Sequence, residues 1–151
     1  MHLESRILIL RTPEEVQRFL GDIANIPRWD RGVASAKQTS AGPMQAGSEF
    51  ETIAPPGTRD GSGTEGRMSY RIAQTGPDHC VVELTSSSGN ARFFREAQWN
   101  FAVQPVAQGS MLTCSADFKL RRRYVFLAPV FFLMKGAIRD DLERLKRVLE
   151  A

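Results

Sequence analysis

The chain has 151 residues, of which 42% are hydrophobic and 25% charged, and its formal net charge is +3. These values are typical of a globular protein with its own core, so residues 1–151 are predicted to form one domain. Basic and acidic residues alternate through most of the chain, which argues against a nucleic-acid-binding surface. The two cysteines lack metal-ligand spacing, so no metal is expected, and no cofactor is expected either. The N-terminus lacks a signal-peptide pattern, which favours the cytoplasm as the location.

The N-terminal part predicts a strand followed by two short helices. Residues 3–11 are rich in Ile and Leu and favour a strand. Thr12 then provides an N-cap, Pro13 suits the first helical position, and Glu15 completes a capping box. After Gly21, residues 22–25 predict a second turn of helix.

The middle of the chain predicts six consecutive strands separated by short turns. Apolar and polar residues alternate through the segments 33–40, 48–54, 64–75, 79–86, 91–103 and 111–120. The connection at 55–63 is dense in Pro and Gly and predicts a flexible loop, either a lid or an ordinary hairpin tip.

The C-terminal segment, residues 124–150, predicts the one long helix. Its second half places Ile138, Leu142 and Leu145 on one stripe, whereas residues 125–134 are apolar on nearly all sides. This pattern predicts that the first half is the more deeply enclosed. Pro129 favours a helix that begins near Ala128, although a kink in a longer helix is the alternative.

The apolar run in this segment bears on membrane contact. It is too short for a membrane span, which needs about 20 apolar residues. Transient contact with a membrane surface, aided by the basic residues 121–123, stays open.

Strands that are segregated from helices predict an α+β fold with an antiparallel sheet. One face of that sheet is apolar at alternate positions, and the C-terminal helix is the element long enough to cover it.

The order of several motifs resembles a known superfamily. The chain carries Thr12-Pro13-Glu14-Glu15-Val16, then Asp22 followed by Ile26-Pro27-Arg28-Trp29-Asp30, then Gly47-Ser48-Glu49-Phe50, and finally Gly109-Ser110-Met111-Leu112-Thr113. In this order they resemble the START-like, or SRPBCC, superfamily, and within it the polyketide cyclase/dehydrase and lipid-transport branch. The resemblance implies the helix-grip fold, in which a curved antiparallel sheet wraps around a long C-terminal helix.

The resemblance also implies a cavity between the sheet and the helix. Strand alternation and the helix pattern provide its predicted lining, with small residues between large ones: Tyr70, Trp99, Ala116, Phe118, Phe131 and Met134. The alternative is that these side chains interlock into a filled core.

Three polar side chains are the further candidates for ligand contact. Trp29 could line the mouth of the pocket with one N–H donor, or close the end of the sheet. Arg95 is in phase with Trp99 and would point inward, unless a bulge near Phe93 turns it outward. The hydroxyl of Tyr70 could bind a ligand carbonyl, a backbone group or water.

Catalytic groups are not evident in the sequence. His79 follows a turn and is expected to be exposed, so it offers no obvious general base. Asp140 and Asp141 are adjacent on the predicted helix, and their side chains are expected to diverge.

The sequence therefore favours a non-enzymatic protein that binds or carries a small hydrophobic molecule, such as a lipid, polyketide, isoprenoid or quinone. A polyketide cyclase or dehydratase that uses Tyr70 or Arg95 is the first alternative. A protein-interaction module with a filled core is the second. The oligomeric state is not fixed by any pattern in the chain.

Overall fold

The computed structural model describes residues 1–56 and 65–151, without the side chains of Asn90 and Met134. The strands are β1 (His2–Ile9), β2 (Ser35–Gln38), β3 (Glu49–Ile53), β4 (Arg67–Thr75), β5 (His79–Ser88), β6 (Phe94–Val106) and β7 (Gly109–Leu120). The α-helices are α1 (Pro13–Gly21), α2 (Ile26–Trp29), α3 (Ala128–Phe132) and α4 (Met134–Glu150), and short 3-10 helices lie at Ile23–Asn25, Gly89–Ala91 and Arg122–Leu127. Each predicted strand has its counterpart, but the predicted loop at 55–63 lies mostly outside the described residues.

The seven strands form one antiparallel sheet in the order β1-β7-β6-β5-β4-β3-β2. Strands β2 to β7 therefore follow one another as hairpins, and β1 pairs with β7, with Leu3 opposite Ala116. Register shifts interrupt the β4–β5 and β6–β7 pairs, and such bulges bend a sheet. The predicted α+β fold, a curved sheet with a C-terminal helix, is confirmed.

The first two α-helices cross one end of the sheet. The hydroxyl of Thr12 accepts the N–H of Glu15, and the Glu15 carboxylate accepts the N–H of Thr12, so the predicted capping box is present. Helix α2 is only four residues long and ends at Trp29. Pro27 lies in the first turn of this helix, where the N–H that proline lacks would have no partner within the helix.

The C-terminal segment departs from the prediction in one respect. Helix α3 begins at Ala128 with Pro129 in its first turn, as predicted, and Leu133 separates α3 from α4. The predicted enclosure of the first half is wrong, because Phe126 is 74% exposed and Leu133 78% exposed. An apolar composition indicates a surface that avoids water, but it does not indicate what covers that surface. Among the described residues, no helix combines the length and apolar character that crossing a bilayer requires.

The second half of the segment provides the packing instead. Ile138, Leu142 and Leu145 of α4 are buried in one cluster with Leu3 and Leu112 of the sheet. Helix α4 packs chiefly against β1 and α2. The helix therefore covers one side of the sheet rather than its whole width.

We predict that the two halves of the C-terminal segment contribute very differently to stability. Replacement of the buried Leu142, which is 1% exposed, by Ala leaves a cavity and should lower the free energy of unfolding by about 2–5 kcal/mol. The matched change Leu133→Ala removes an exposed side chain and should alter it by less than about 0.5 kcal/mol. Urea denaturation measures both, and equal losses would contradict this account of the packing.

Candidate functional site

A cavity of about 220 Å³ lies between the sheet and helices α1, α2 and α4. Its lining comes from two hydrophobic clusters. One contains Phe50, Tyr70, Ile72 and Val82, and the other contains the α4 stripe and β7. The cavity therefore lies between these two clusters.

Aromatic rings form much of the cavity wall. The rings of Phe50 and Tyr70 stack with their centroids 5.3 Å apart. Trp29 meets Phe101 edge-on at 6.2 Å, and Trp99 stacks on Phe101 at 6.5 Å. Such ring pairs fix side-chain orientation, so this part of the wall is preformed.

Three of the eight predicted ligand-binding residues line this cavity: Trp29, Tyr70 and Trp99. Trp29 reaches it from the end of α2, whereas Tyr70 and Trp99 project from the inner face of the sheet. That these side chains contact a ligand stays a prediction.

Three others fill the neighbouring core. Phe118 packs between Phe94 and Trp99, with ring centroids 5.3 Å and 5.4 Å away. Phe131 packs on Phe94 at 5.3 Å, and Ala116 is fully buried. None of these three lines the cavity. Ala116 therefore leaves no gap there, since the rings of Phe118 and Trp99 lie in the same core cluster. The side chain of Met134 lies outside the described residues.

The prediction that Arg95 lines the cavity is wrong. The β6–β7 register shifts between Phe94 and Glu96, so Arg95 is the additional residue of a bulge. Its side chain is 55% exposed and lies 3.3 Å from the Glu96 carboxylate. The alternative that the sequence left open, a bulge that turns Arg95 outward, is what the structure contains.

Two carboxylates that the sequence did not predict as site residues lie in the wall. Asp30 follows α2 and accepts the N–H of Gly32 at 2.8 Å, and Asp141 of α4 accepts the N–H of Arg31 at 3.3 Å. A signal for Asp141 was present, because it falls three residues after Ile138 and one before Leu142, on the buried stripe. The side chains of Asp140 and Asp141 diverge, as predicted. Asp140 is exposed, whereas Asp141 points inward and is partly buried.

Burial changes the acidity of these groups. It raises the pKa of Asp141 to about 6, and the charge of Asp30 adds to this shift. Burial likewise raises the pKa of Asp30, against the hydrogen bond from Gly32. The N–H and the charge of Arg31 lower the pKa of Asp141, but they do not offset its burial. Asp30 and Asp141 therefore keep their protons to a higher pH than ordinary aspartates do.

Tyr70 and Trp29 provide the donors of the same wall. Burial, followed by the charge of Asp30, raises the pKa of Tyr70 and keeps its hydroxyl neutral, although Trp99 acts in the opposite direction. The hydroxyl contacts the Met68 sulfur at 3.4 Å. Within residues 1–56 and 65–151, Trp29 Nε1 is the one buried side-chain nitrogen or oxygen without a hydrogen-bond partner.

An unpartnered buried N–H is unfavourable and calls for an acceptor in the adjoining space. The sequence could not indicate that this N–H lacks a partner, because it did not decide whether Trp29 lines the pocket or closes the end of the sheet. Because Trp29 lines the cavity, its unpartnered N–H favours the role toward the cavity.

His79 lies at the cavity wall, and its side chain is 40% exposed, in line with the expected exposure. Its Nδ1 is 2.9 Å from the Asp78 carboxylate. Nearby, the side chain of Gln17 donates to the Pro77 carbonyl, which joins α1 to the β4–β5 turn. In the described part of the chain, no three His, Cys, Asp or Glu side chains are grouped as metal ligands would be.

Solved structures with the same fold come from bacteria and from a plant. A START superfamily protein from Mycobacterium smegmatis superposes with a TM-score of 0.77 at 12% identity, over 99% of this chain and 97% of the other. The Zhui aromatase/cyclase from a Streptomyces species gives 0.74 at 10% identity, over 99% and 93%. A major latex-like protein from Panax ginseng gives 0.72 at 11%, over 97% and 95%. At these identities the similarity establishes the fold alone.

The sequence itself gives the family. No curated protein matches it. The family model described as polyketide cyclase/dehydrase and lipid transport, however, matches residues 1–150. This agrees with the resemblance to the SRPBCC superfamily and with the helix-grip fold. The chain is therefore a member of the polyketide cyclase/dehydrase and lipid transport family.

Proposed function

We propose that the protein binds a small hydrophobic molecule, such as a lipid, polyketide, isoprenoid or quinone, in the cavity between the sheet and α4. One observation carries this proposal. Trp29 lines the mostly apolar cavity, and its Nε1 is a buried donor that no described protein group satisfies. A ligand with apolar rings or chains and one oxygen acceptor matches both features.

The size of the cavity limits what it encloses. At about 220 Å³ it is smaller than the ~300–1,000 Å³ of pockets that bury drug-sized ligands. It fits a small aromatic molecule, or one ring or part of the chain of a larger ligand. Burial of about 200 Å² of apolar ligand surface would contribute about 5 kcal/mol.

The proposal also includes a cytoplasmic location and a single domain. Both cysteines, Cys80 and Cys114, are free, which suits a reducing compartment. The seven strands belong to one sheet, which supports one domain over residues 1–151.

The paired carboxylates favour a second candidate function, a cyclase or dehydratase. With one carboxyl protonated and the other ionised, Asp30 and Asp141 could divide acid and base roles. In a dehydration, the ionised carboxylate would take the proton from the carbon between a carbonyl and a hydroxyl-bearing carbon. The carboxylic acid would give its proton to the hydroxyl, which leaves as water. The aromatase/cyclase of the same fold lends this candidate support by analogy only.

We predict that filling the cavity abolishes binding. Val82 lines the cavity and Val81 does not, because successive side chains of β5 point to opposite faces. With β-naphthol as the probe, Val82→Phe should weaken binding at least about tenfold, equivalent to ~1.4 kcal/mol, and Val81→Phe less than about twofold. Fluorescence titration measures the affinity, and circular dichroism checks that both variants fold. Equal affinities in a folded Val82→Phe variant would contradict the proposal.

A second prediction concerns the unpartnered donor. Trp29→Phe keeps an aromatic ring but removes the N–H, so the affinity for β-naphthol should fall about three- to tenfold, the range of one hydrogen bond. Naphthalene has no oxygen, and its affinity should change less than about twofold. If both probes weaken equally, Trp29 contributes packing and not a hydrogen bond.

A third prediction follows from the raised pKa of Asp141. Since its folded-state pKa of about 6 lies above the ordinary 3.8, its contribution to stability is present below pH ~3.8 and is lost as pH rises through about 6. Asp141→Asn removes this loss, so the variant should gain up to ~3 kcal/mol relative to the parent between pH 4 and 7.

Urea denaturation across this pH range measures the relative stability. Asp140→Asn, at the exposed neighbouring position, should differ from the parent far less with pH. A constant difference between Asp141→Asn and the parent would show that Asp141 ionises normally.

A further inference from the structure

The chain between Asp117 and Asp140 has an unusual charge composition. It contains six basic residues and no acidic residue. Within this stretch, residues 121–135 comprise the last 3-10 helix, α3 and the start of α4, and are called the basic apolar segment below. Its described side chains lie outside the lining of the cavity.

The basic apolar segment also holds most of the exposed apolar surface. In the described part of the chain, seven large hydrophobic residues are exposed, and five of them fall in this segment: Val125, Phe126, Val130, Phe132 and Leu133. Single exposed apolar residues are ordinary, but a group of this kind marks an interaction surface.

The positive charges of the segment are available to a partner. Arg122, Arg123 and Lys135 are exposed, and within the described ranges no carboxylate lies at salt-bridge distance from any of them. The Arg123 guanidinium lies over the Tyr124 ring at 5.2 Å. Cations that lack a carboxylate partner among the described residues, beside exposed apolar side chains, match a surface that is both anionic and apolar.

The segment is held in place from its inner side. Phe131 packs against Phe93 and Phe94, and Tyr124 meets Phe93 edge-on at 4.9 Å. Arg121 donates to the Phe94 carbonyl at 3.3 Å. These contacts fix which side chains face the sheet, so the remaining ones are presented outward together.

We propose that the basic apolar segment docks the protein on an anionic lipid membrane. The exposed Phe, Val and Leu side chains enter the boundary between headgroups and acyl chains, and Arg122, Arg123 and Lys135 lie at the level of the anionic headgroups. Because no described helix is long and apolar enough to cross a bilayer, the segment lies on the membrane. The charge of the segment favours this occupant over a second copy of the chain, which would bring the same positive charges together.

Flotation with phospholipid vesicles tests the proposal. Vesicles of phosphatidylcholine alone are compared with vesicles that contain about one-third phosphatidylglycerol, and the parent should bind the anionic vesicles at least about tenfold more strongly. Raising the salt from about 0.1 to 1 M should weaken that binding, since screening shortens the range of the charges. No binding of the parent to anionic vesicles overturns the proposal.

Variants assign the binding to the segment. The triple change Phe126→Ser, Phe132→Ser and Leu133→Ser should reduce binding at least about tenfold, and Arg122→Glu should reduce binding to anionic vesicles only. The matched controls are Leu10→Ser with Val106→Ser, the other two exposed large hydrophobics, and Lys37→Glu at an exposed position on β2. These controls should bind as the parent does, and equal losses in controls and test variants contradict the assignment.

Two further readouts complete the experiment. β-Naphthol affinity should be unchanged in every surface variant, so failure of membrane docking and failure of cavity binding are distinguishable. Sedimentation of the free protein shows whether the segment joins two copies instead. Self-association that the triple change abolishes, without vesicle binding by the parent, overturns the membrane proposal in favour of a dimer.

Discussion

One helix has to cover the apolar face of a seven-stranded sheet that is much wider than the helix. This difference in width determines the rest of the structure. Seven strands at ~4.8 Å spacing span about 29 Å, whereas a helix with its side chains is about 10 Å wide. Helix α4 packs chiefly against β1 and α2, so it covers the sheet on the β1 side. The sheet curves and the short helices close one end, but Phe50, Ile72 and Val82 still face a space that none of the described side chains fills.

The polar groups of the cavity depend on the same geometry. Asp141 is carried inward because it lies on the stripe of α4 that packs on the sheet, and α2 places Trp29 and Asp30 beside it. Asp30 and Asp141 are shielded from water by burial, which raises the pKa of both carboxyls. An apolar wall with a few polar groups at one place can orient a ligand, and the same groups would suit proton transfer.

The sequence predicted the elements of the fold better than it predicted the site. Strand alternation and the Thr12 capping box depend on local chemistry, and both correspond to the structure. Arg95 was misplaced because one bulge residue reverses the alternation on which its orientation rested. Phe118 and Ala116 were assigned to the correct face of the sheet. No pattern in the chain indicates which part of that face is filled core and which part lines the cavity.

Two errors have a common physical origin. The apolar run 125–134 was expected inside and Asp141 was set aside as a site residue, because apolar composition was given more weight than position. Phe126 and Leu133 are exposed in spite of their chemistry, and Asp141 is partly buried in spite of its charge. Such departures concentrate where a protein meets another molecule, which is the reason that both features enter the proposals.

The central claim is that the cavity holds a hydrophobic molecule. The most direct test is native mass spectrometry of the protein purified gently from cells, followed by extraction into organic solvent and identification of what is released. The account predicts a stoichiometric hydrophobic adduct that contains an oxygen acceptor and that is absent from the Val82→Phe variant. An adduct retained equally by the Val82→Phe variant, or a parent protein that takes up neither a cellular ligand nor β-naphthol, would contradict it.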